Sequence, residues 1–100
     1  MTARVNASAQ KVLRVFKALK GKTLQGVTNK DLSESLGMSP SSVTICIDTL
    51  IAENLAQRLD NGRFALSIGA LQIAQAHANE MERASAHIHE INTRVVAGAR

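Results

Sequence analysis

The sequence predicts a mostly α-helical fold, with three short helices and a two-stranded β-hairpin followed by one long C-terminal helix. Three observations predict it. Two helical patterns flank Gly37 between residues 29 and 53. The Asn61-Gly62 pair between two short apolar runs is a strong hairpin signal. Residues 70–97 contain neither proline nor glycine, which predicts an uninterrupted helix.

Length and composition favour one folded domain with a C-terminal appendage. The 100 residues are 45% apolar, and no apolar run approaches the ~20 residues that a membrane helix needs. The N-terminus lacks the apolar core of a signal peptide. Cys46 is the only cysteine, which excludes an intrachain disulfide. We therefore expect a cytoplasmic protein.

Positive charge is concentrated in the first part of the chain. The formal net charge is +4, and residues 1–38 hold seven Lys or Arg against two acidic residues. Residues 69–100 hold three basic and three acidic residues. This distribution is compatible with a nucleic-acid partner, although lysines that only solvate the surface would give the same count.

The first helix is predicted to begin at Ser8, whose hydroxyl can accept a hydrogen bond from the first turn. Gly21 is expected to end it. The residues from Leu24 to Val27 could add one brief strand. The apolar positions that follow helical spacing are Ala9, Val12, Leu13, Phe16 and Leu19.

Two short helices, at residues 29–36 and 40–53, form the central motif. Gly37 supplies the left-handed backbone conformation that ends the first helix. Ser39 can cap the second helix, and Pro40 suits its first position because that N–H would be unpaired anyway. The positions predicted to face the core are Leu32, Leu36, Val43, Ile47, Leu50 and Ile51. Two helices joined in this way form a helix-turn-helix, whose second helix normally enters the DNA major groove.

Residues 55–67 are predicted to form the hairpin. Asn54 stands where the second motif helix must end, and asparagine tolerates the left-handed conformation there. Asn61 and Gly62 both tolerate the positive φ of a two-residue turn. The alternation of apolar and polar residues in the strands predicts that the side chains facing the core come from Leu55, Leu59, Phe64 and Leu66. A hairpin directly after a helix-turn-helix is a wing, so residues 1–68 are expected to form a winged helix-turn-helix DNA-binding domain.

Residues 69–97 are expected to form the long C-terminal helix and to serve as a dimerisation element. Alternating steps of four and three residues define a heptad seam, formed by Ala70, Ala74, His77, Met81, Ala84, Ile88, Ile91 and Val95. A helix of about 40 Å is too long for a domain of this size to cover its seam. The exposed part of the seam predicts a homodimer. The alternative is a helix that folds back on its own domain. Parallel and antiparallel pairing are both open.

The second motif helix is the candidate recognition helix. Its outward positions are Ser39, Ser41, Ser42, Thr44, Ile45, Asp48 and Thr49. None of them is Arg or Lys, so the commonest specific base contact, arginine to guanine, is absent. We expect recognition through hydroxyl groups and through apolar contact of Ile45 with a thymine methyl. Phosphate contacts are expected from Lys11, Arg14, Lys30, Arg58 and Arg63.

Several segments of the chain carry a family resemblance. They are the opening Ser-Ala-Gln-Lys-Val-Leu-Arg-Val-Phe from Ser8, Leu32 with the Leu36-Gly37-Met38 end of the second helix, Ser41-Ser42-Val43, Ile47 with Thr49-Leu50-Ile51, Gly-Arg-Phe-Ala-Leu from Gly62, and Ile68-Gly69. With the wing in place, residues 8–76 resemble the N-terminal DNA-binding domain of the IclR family of bacterial transcription regulators. The resemblance implies sequence-specific binding of double-stranded DNA as a transcription regulator.

Two positions depart from the pattern of that family. The family usually has arginine where this chain has Ile45, and glycine where this chain has Asn54. Family members also carry a large effector-binding domain, which has no counterpart before Arg100. We therefore expect no small-molecule effector.

No enzymatic activity, cofactor or metal site is expected. The sequence has no P-loop, no Gly-rich dinucleotide turn and no Cys/His pattern of a zinc site. His87 and His89 are two residues apart on a helix and point to different faces. The competing hypothesis is a winged-helix adaptor for another protein, because an outer face with Ile45 and no positive charge also suits a protein partner.

Overall fold

The computed structural model of the chain describes residues 4–99. These residues form four helices and one two-stranded antiparallel sheet. In chain order the elements are α1 (Ala7–Ala18), α2 (Asn29–Leu36), α3 (Pro40–Ala52), β1 (Ala56–Arg58), β2 (Phe64–Leu66) and α4 (Ile68–Gly98). The predicted architecture is confirmed, and residues 1–3 of the predicted first domain lie outside the described residues. We refer to residues 4–67 as the body.

α1 differs from the prediction in its cap and in its buried face. Asn6, rather than Ser8, is the N-cap, and its Oδ1 accepts a hydrogen bond from the backbone N of Ala9 at 2.9 Å. Val15 is completely buried, whereas Leu13 is 57% exposed. Two residues along an α-helix correspond to about 200° around its axis, so Leu13 points away from the core that Val15 enters.

The core of the body lies between α1, α2, α3 and the hairpin. Its largest fully buried side chains are Leu19, Leu32, Ile47, Val15 and Val43. Each such aliphatic side chain contributes roughly 1.5–3 kcal/mol by leaving water. Cys46 is buried in the same cluster, and burial raises the pKa of its thiol. The thiol therefore acts as a small apolar side chain.

The turn between α2 and α3 follows its predicted chemistry. Gly37 adopts φ 64° at the end of α2, and the Ser39 hydroxyl accepts from the backbone N of Ser42 at 3.2 Å. Asn54 adopts φ 57° just after α3, as expected. Ile51, which was predicted to face the core, is 38% exposed. Cys46 is buried where Ile51 was expected to be, because positions 43, 46, 47 and 50 form the buried face of α3.

The hairpin turn is longer than the two-residue turn that Asn61-Gly62 predicted. Leu59 N donates to Arg63 O at 2.7 Å, so residues 60–62 form the tip. Gly62 has φ 84°, whereas Asn61 keeps a negative φ. The reason is that the Asn61 side chain is engaged: Oδ1 accepts from Arg63 N at 2.9 Å, and Nδ2 donates to Gln25 O at 3.2 Å.

The brief strand expected before α2 is a single β-bridge. Val27 and Phe64 exchange two backbone hydrogen bonds, each of 2.8 Å. Phe64 is buried, while Leu55, Leu59 and Leu66 are half-buried. The bridge therefore ties the start of the α2–α3 motif to the wing.

The base of α4, residues 68–70, is held against the body at Asn54. The Ser67 hydroxyl donates to the carbonyl oxygen of Asn54. A Cβ at Gly69 would overlap that same carbonyl, so only glycine allows the two segments to approach this closely. Ala70, the first residue of the predicted seam, is 8% exposed and belongs to the core of the body.

Beyond its base, α4 projects into solvent. Every residue from Leu71 to Ala99 is exposed. The Cα radius of gyration is 20.1 Å, compared with ~13 Å expected for a compact chain of this length. The fold-back alternative therefore does not apply to α4. Within residues 4–99, no helix is long and apolar enough to cross a membrane.

Candidate nucleic-acid interface

The side of α3 that faces away from the core forms a continuous exposed surface. Helical geometry places Ser41, Ile45, Asp48 and Thr49 within about 100° of one another, with Thr44 at the edge. All five are exposed, and Ile45 is 67% exposed. We call these five residues the outer face of α3. All five were predicted from the sequence to face outward, and all five are exposed.

Asn29 fixes the orientation of α3 relative to α2. Its Nδ2 donates to Pro40 O at 3.1 Å and to Thr44 Oγ1 at 3.0 Å. Asn29 was not among the candidate residues predicted from the sequence. Its partners lie 11 and 15 residues away, so no local pattern indicated the contact.

The start of α2 is held by a capping box. The Thr28 hydroxyl accepts from Asp31 N at 3.0 Å, and an Asp31 carboxylate oxygen accepts from Thr28 N at 3.2 Å. The hydrogen bond from the Thr28 backbone is the main cause of a lowered pKa of the Asp31 carboxyl. Together with Asn29, this box makes the first turn of α2 a fixed support for α3.

Several candidate hydroxyls are already engaged inside the protein. Thr44 Oγ1 donates to Pro40 O at 3.0 Å, and Thr49 Oγ1 donates to Ile45 O at 2.8 Å. Ser39 Oγ donates to Ser42 Oγ at 2.9 Å while capping α3. These hydroxyl protons are therefore not free to donate to a base, because each already has an acceptor within the protein. This restricts the expected recognition of bases through hydroxyl groups.

Lys11 lies beside the outer face of α3. It lines a groove between α1 and α3 together with Ser8, Ser42, Ile45 and Thr49. Arg14 follows Lys11 on α1 after about one helical turn and is exposed. The structure thus brings one of the predicted phosphate-binding lysines next to the predicted base-reading residues.

Arg58 lies on the other side of α3, in the cleft between α3 and the wing. Its guanidinium carbon is 4.9 Å from the centroid of the Phe64 ring, a cation–π arrangement that orients the side chain. Thr44 and Asp48 line the same cleft. Arg63 is exposed next to the hairpin tip. Arg58 is therefore the candidate residue of the wing that meets the edge of α3 in this cleft.

Lys30 is on the surface of α2. Its Nζ is 4.0 Å from Glu34 Oε1, and the two side chains are 82% and 68% exposed. An exposed pair of this kind contributes little to stability, so Lys30 can exchange Glu34 for a phosphate at small cost.

The predicted dimerisation residues of α4 are exposed. Met81, Ile88, Ile91 and Val95 are between 45% and 63% exposed, and Ala84 is also exposed. His87 and His89 are exposed on the same helix. Among the described residues, no group of three side chains is arranged to hold a metal ion.

Comparisons with known proteins agree with this geometry. The model of the IclR helix-turn-helix domain matches residues 8–60. The crystal structure of Pseudomonas aeruginosa HmgR is similar, with a TM-score of 0.66 and 26% sequence identity over 77% of this chain and 33% of that chain. This chain thus spans about a third of the length of HmgR. A search of curated proteins finds no matching sequence.

Two structures of Lactococcus lactis ZitR are also similar, at lower scores. A ZitR mutant in apo form gives a TM-score of 0.49 and 22% identity, covering 87% of this chain and 70% of that chain. ZitR described as a zinc-responsive MarR family member gives 0.44 and 22%, covering 91% and 63%.

The matched residues 8–60 include α1, the complete α2–Gly37–α3 motif and the first strand of the wing. They make up more than half of the chain and contain the candidate interface, apart from Arg63 beyond the hairpin tip. Helix-turn-helix domains are DNA-binding modules. The chain therefore belongs to the IclR helix-turn-helix domain family.

Proposed function

We propose that the chain is a transcription regulator that binds double-stranded DNA sequence-specifically, with α3 in the major groove and residues 55–67 as the wing. The observation that carries the proposal is the outer face of α3, which stays exposed while the opposite face of the helix is buried. α3 has 13 residues and is about 20 Å long. A single helix fits the ~12 Å width of the major groove.

Phosphate binding is assigned to cations outside α3. Lys11 and Arg14 come from α1, Lys30 from α2, and Arg58 and Arg63 from the hairpin. Their placement supports a division of roles, in which cations at the periphery position the protein and the outer face of α3, which has no Lys or Arg, meets the base edges. Residues 1–38, with seven basic against two acidic residues, provide the matching positive field.

Salt dependence tests the proposal. Affinity for a duplex should fall steeply as salt concentration rises, because each phosphate contact releases condensed counterions. Replacing Arg58 and Arg63 together by alanine should weaken binding to all duplexes and reduce the salt slope by roughly one unit per lost contact. The measurement is fluorescence anisotropy of a labelled duplex across a salt series.

A charge-matched control separates wing contacts from net charge. Replacing Arg83 and Arg94 by alanine removes the same charge from α4, where no DNA contact is proposed. This variant should keep the salt slope of the parent. If the two double variants behave alike, the wing does not bind phosphate.

The regulator is further proposed to act as a homodimer, with residues 1–68 binding DNA and residues 69–97 pairing two copies. The pairing residues are Met81, Ala84, Ile88, Ile91 and Val95. Their heptad spacing and exposure support this proposal. The balance of three basic and three acidic residues in 69–100 adds support, because it limits repulsion between two copies.

A protein-interaction adaptor is the second candidate function. The observation that favours it is the exposed Ile45 on a helix without Lys or Arg. The same salt series distinguishes the two functions, since an apolar protein contact does not weaken steeply with ionic strength. An absence of salt-dependent duplex binding would favour the adaptor.

A further inference from the structure

The threonines of the outer face of α3 offer no free hydroxyl proton. Thr44 Oγ1 donates to Pro40 O at 3.0 Å while it accepts from Asn29 Nδ2, also at 3.0 Å. Thr49 Oγ1 donates to Ile45 O at 2.8 Å. Each exposed threonine is therefore left with oxygen lone pairs and a methyl group to present to a ligand.

The hydroxyl groups of the serines at the start of α3 also form hydrogen bonds within the protein. Ser39 donates its proton to Ser42 Oγ at 2.9 Å. Either hydroxyl can donate in the 3.3 Å contact between Ser39 and Ser41, and Ser41 can supply the proton because Ser39 donates to Ser42. Among the serines and threonines of α3 and its cap, Ser42 is left without an internal acceptor in the described structure, and it is half-buried in the groove beside α1.

What remains on the outer face is a set of acceptors and methyl groups. The Asp48 carboxylate and the hydroxyl lone pairs are acceptors, while Ile45 and the two threonines carry methyl groups. Ile45 is the largest apolar group of this surface and is 67% exposed. The outer face thus combines hydrogen-bond acceptors with apolar contact area and offers almost no donor.

The four base pairs differ in how well they match such a surface. Guanine presents two acceptors in the major groove, N7 and O6, and these need donors that the outer face does not offer. Adenine presents N7 as an acceptor and the N6 amino group as a donor, and thymine presents O4 as an acceptor and its C5-methyl group. Cytosine has a donor at N4 but no methyl group. Only the A·T pair presents both a donor and a methyl group.

We propose that α3 recognises A·T pairs in the major groove, with the thymine methyl group as the feature that it discriminates. This inference rests on the proposed DNA-binding function and names the base pairs that it selects. Ile45 supplies the main methyl contact, Thr44 and Thr49 extend it, and Asp48 accepts from an adenine amino group.

Duplexes that differ only in one methyl group test the proposal. The full chain is titrated with three labelled duplexes of equal length: alternating adenine–thymine, the same duplex with uracil for every thymine, and alternating guanine–cytosine. The thymine duplex should bind most tightly. Uracil should weaken binding by about fourfold for each methyl group buried, the factor that corresponds to ~0.8 kcal/mol per buried methyl-sized group.

Substitutions on the exposed surface identify which residues read the methyl group. Ile45→Ala should bring the thymine-to-uracil affinity ratio close to one. Thr49→Ser removes one methyl group and keeps the hydroxyl, so it should lower the ratio by a smaller factor. Lys30→Ala is the control: it should weaken binding to both duplexes and leave their ratio unchanged.

The outcomes separate this inference from the proposed function. Steeply salt-dependent binding with equal affinity for the thymine and uracil duplexes overturns methyl recognition and leaves DNA binding intact. Tighter binding to the guanine–cytosine duplex also overturns it. If no duplex binds in a salt-dependent manner, the proposed function itself fails, and the inference fails with it.

Discussion

The body and α4 use the same kinds of apolar residue with opposite results. In the body, Val43 and Ile47 are at most 1% exposed, because three helices and a hairpin close around them. In α4, Ile88 and Val95 remain 59% and 63% exposed. The comparison shows that helical apolar spacing marks a face that prefers burial, whereas the surrounding chain decides whether that face is covered. Within residues 4–99, every residue of α4 after Ala70 is exposed.

The two regions also differ in charge. The body contains residues 4–38, with seven basic against two acidic side chains, whereas residues 69–100 have equal numbers of basic and acidic side chains. A positive surface favours a polyanion, and a neutral apolar stripe favours another apolar surface. Contacts with DNA and contacts between copies are therefore assigned to different parts of the molecule.

The largest predicted effect compares the same substitution in both regions. Ile47→Ala should reduce the free energy of unfolding by about 2–5 kcal/mol, because it leaves a cavity in the closed core. This loss should not depend on protein concentration. Ile88→Ala, at an exposed position, should lower the melting temperature only at concentrations where copies associate. Thermal melts over a hundredfold range of concentration provide the measurement.

The next effect concerns the joint between the two regions. Gly69→Ala places a Cβ against the Asn54 carbonyl and should destabilise the protein by roughly 1–3 kcal/mol, as overpacking typically does. Gly98→Ala is the control, because nothing lies within 4 Å of its added Cβ. The control should be neutral or slightly stabilising, since alanine favours a helix over glycine. Equal melting temperatures for the two variants would contradict the close packing at Asn54.

The smallest effect is a pH dependence confined to the body. The capping box lowers the pKa of Asp31 in the folded state below its ordinary value of 3.8. The charged carboxylate therefore stabilises the fold above pH 3.8, and this contribution is lost as the pH falls through the lower folded-state pKa. Asp31→Asn should melt below the parent at neutral pH, and the difference should shrink in acid. A constant difference across this range would rule out the linkage.

The parts of the fold that the sequence predicted best are those set by local chemistry. Gly37, Ser39 and Pro40 end one helix and start the next through interactions within a few residues. Asn54 adopts the left-handed conformation for a similarly local reason. The exposed side of α3 followed from its spacing, and this defined most of the candidate site in advance.

Two kinds of prediction were wrong: those that depended on contacts between distant residues, and one that chose between two neighbouring cap residues. α1 has apolar residues on more than one face, and only the position of α3 determines that Val15, rather than Leu13, enters the core. Asn6 and Ser8 can both cap a helix, so their sequence could not decide between them. The hydrogen bond that Thr44 Oγ1 accepts from Asn29, 15 residues away, could not be predicted from local spacing.

The mass of the full chain in solution tests the central claim, that α4 leaves an apolar seam for a second copy. One chain is 10.7 kDa, so sedimentation equilibrium at micromolar concentration should give a mass about twice that value. Replacing Ile88 and Ile91 together by lysine should return the monomer mass. Ala86→Lys, on the opposite side of α4, should remain dimeric. A monomeric mass for the unmodified chain under these conditions would contradict the account.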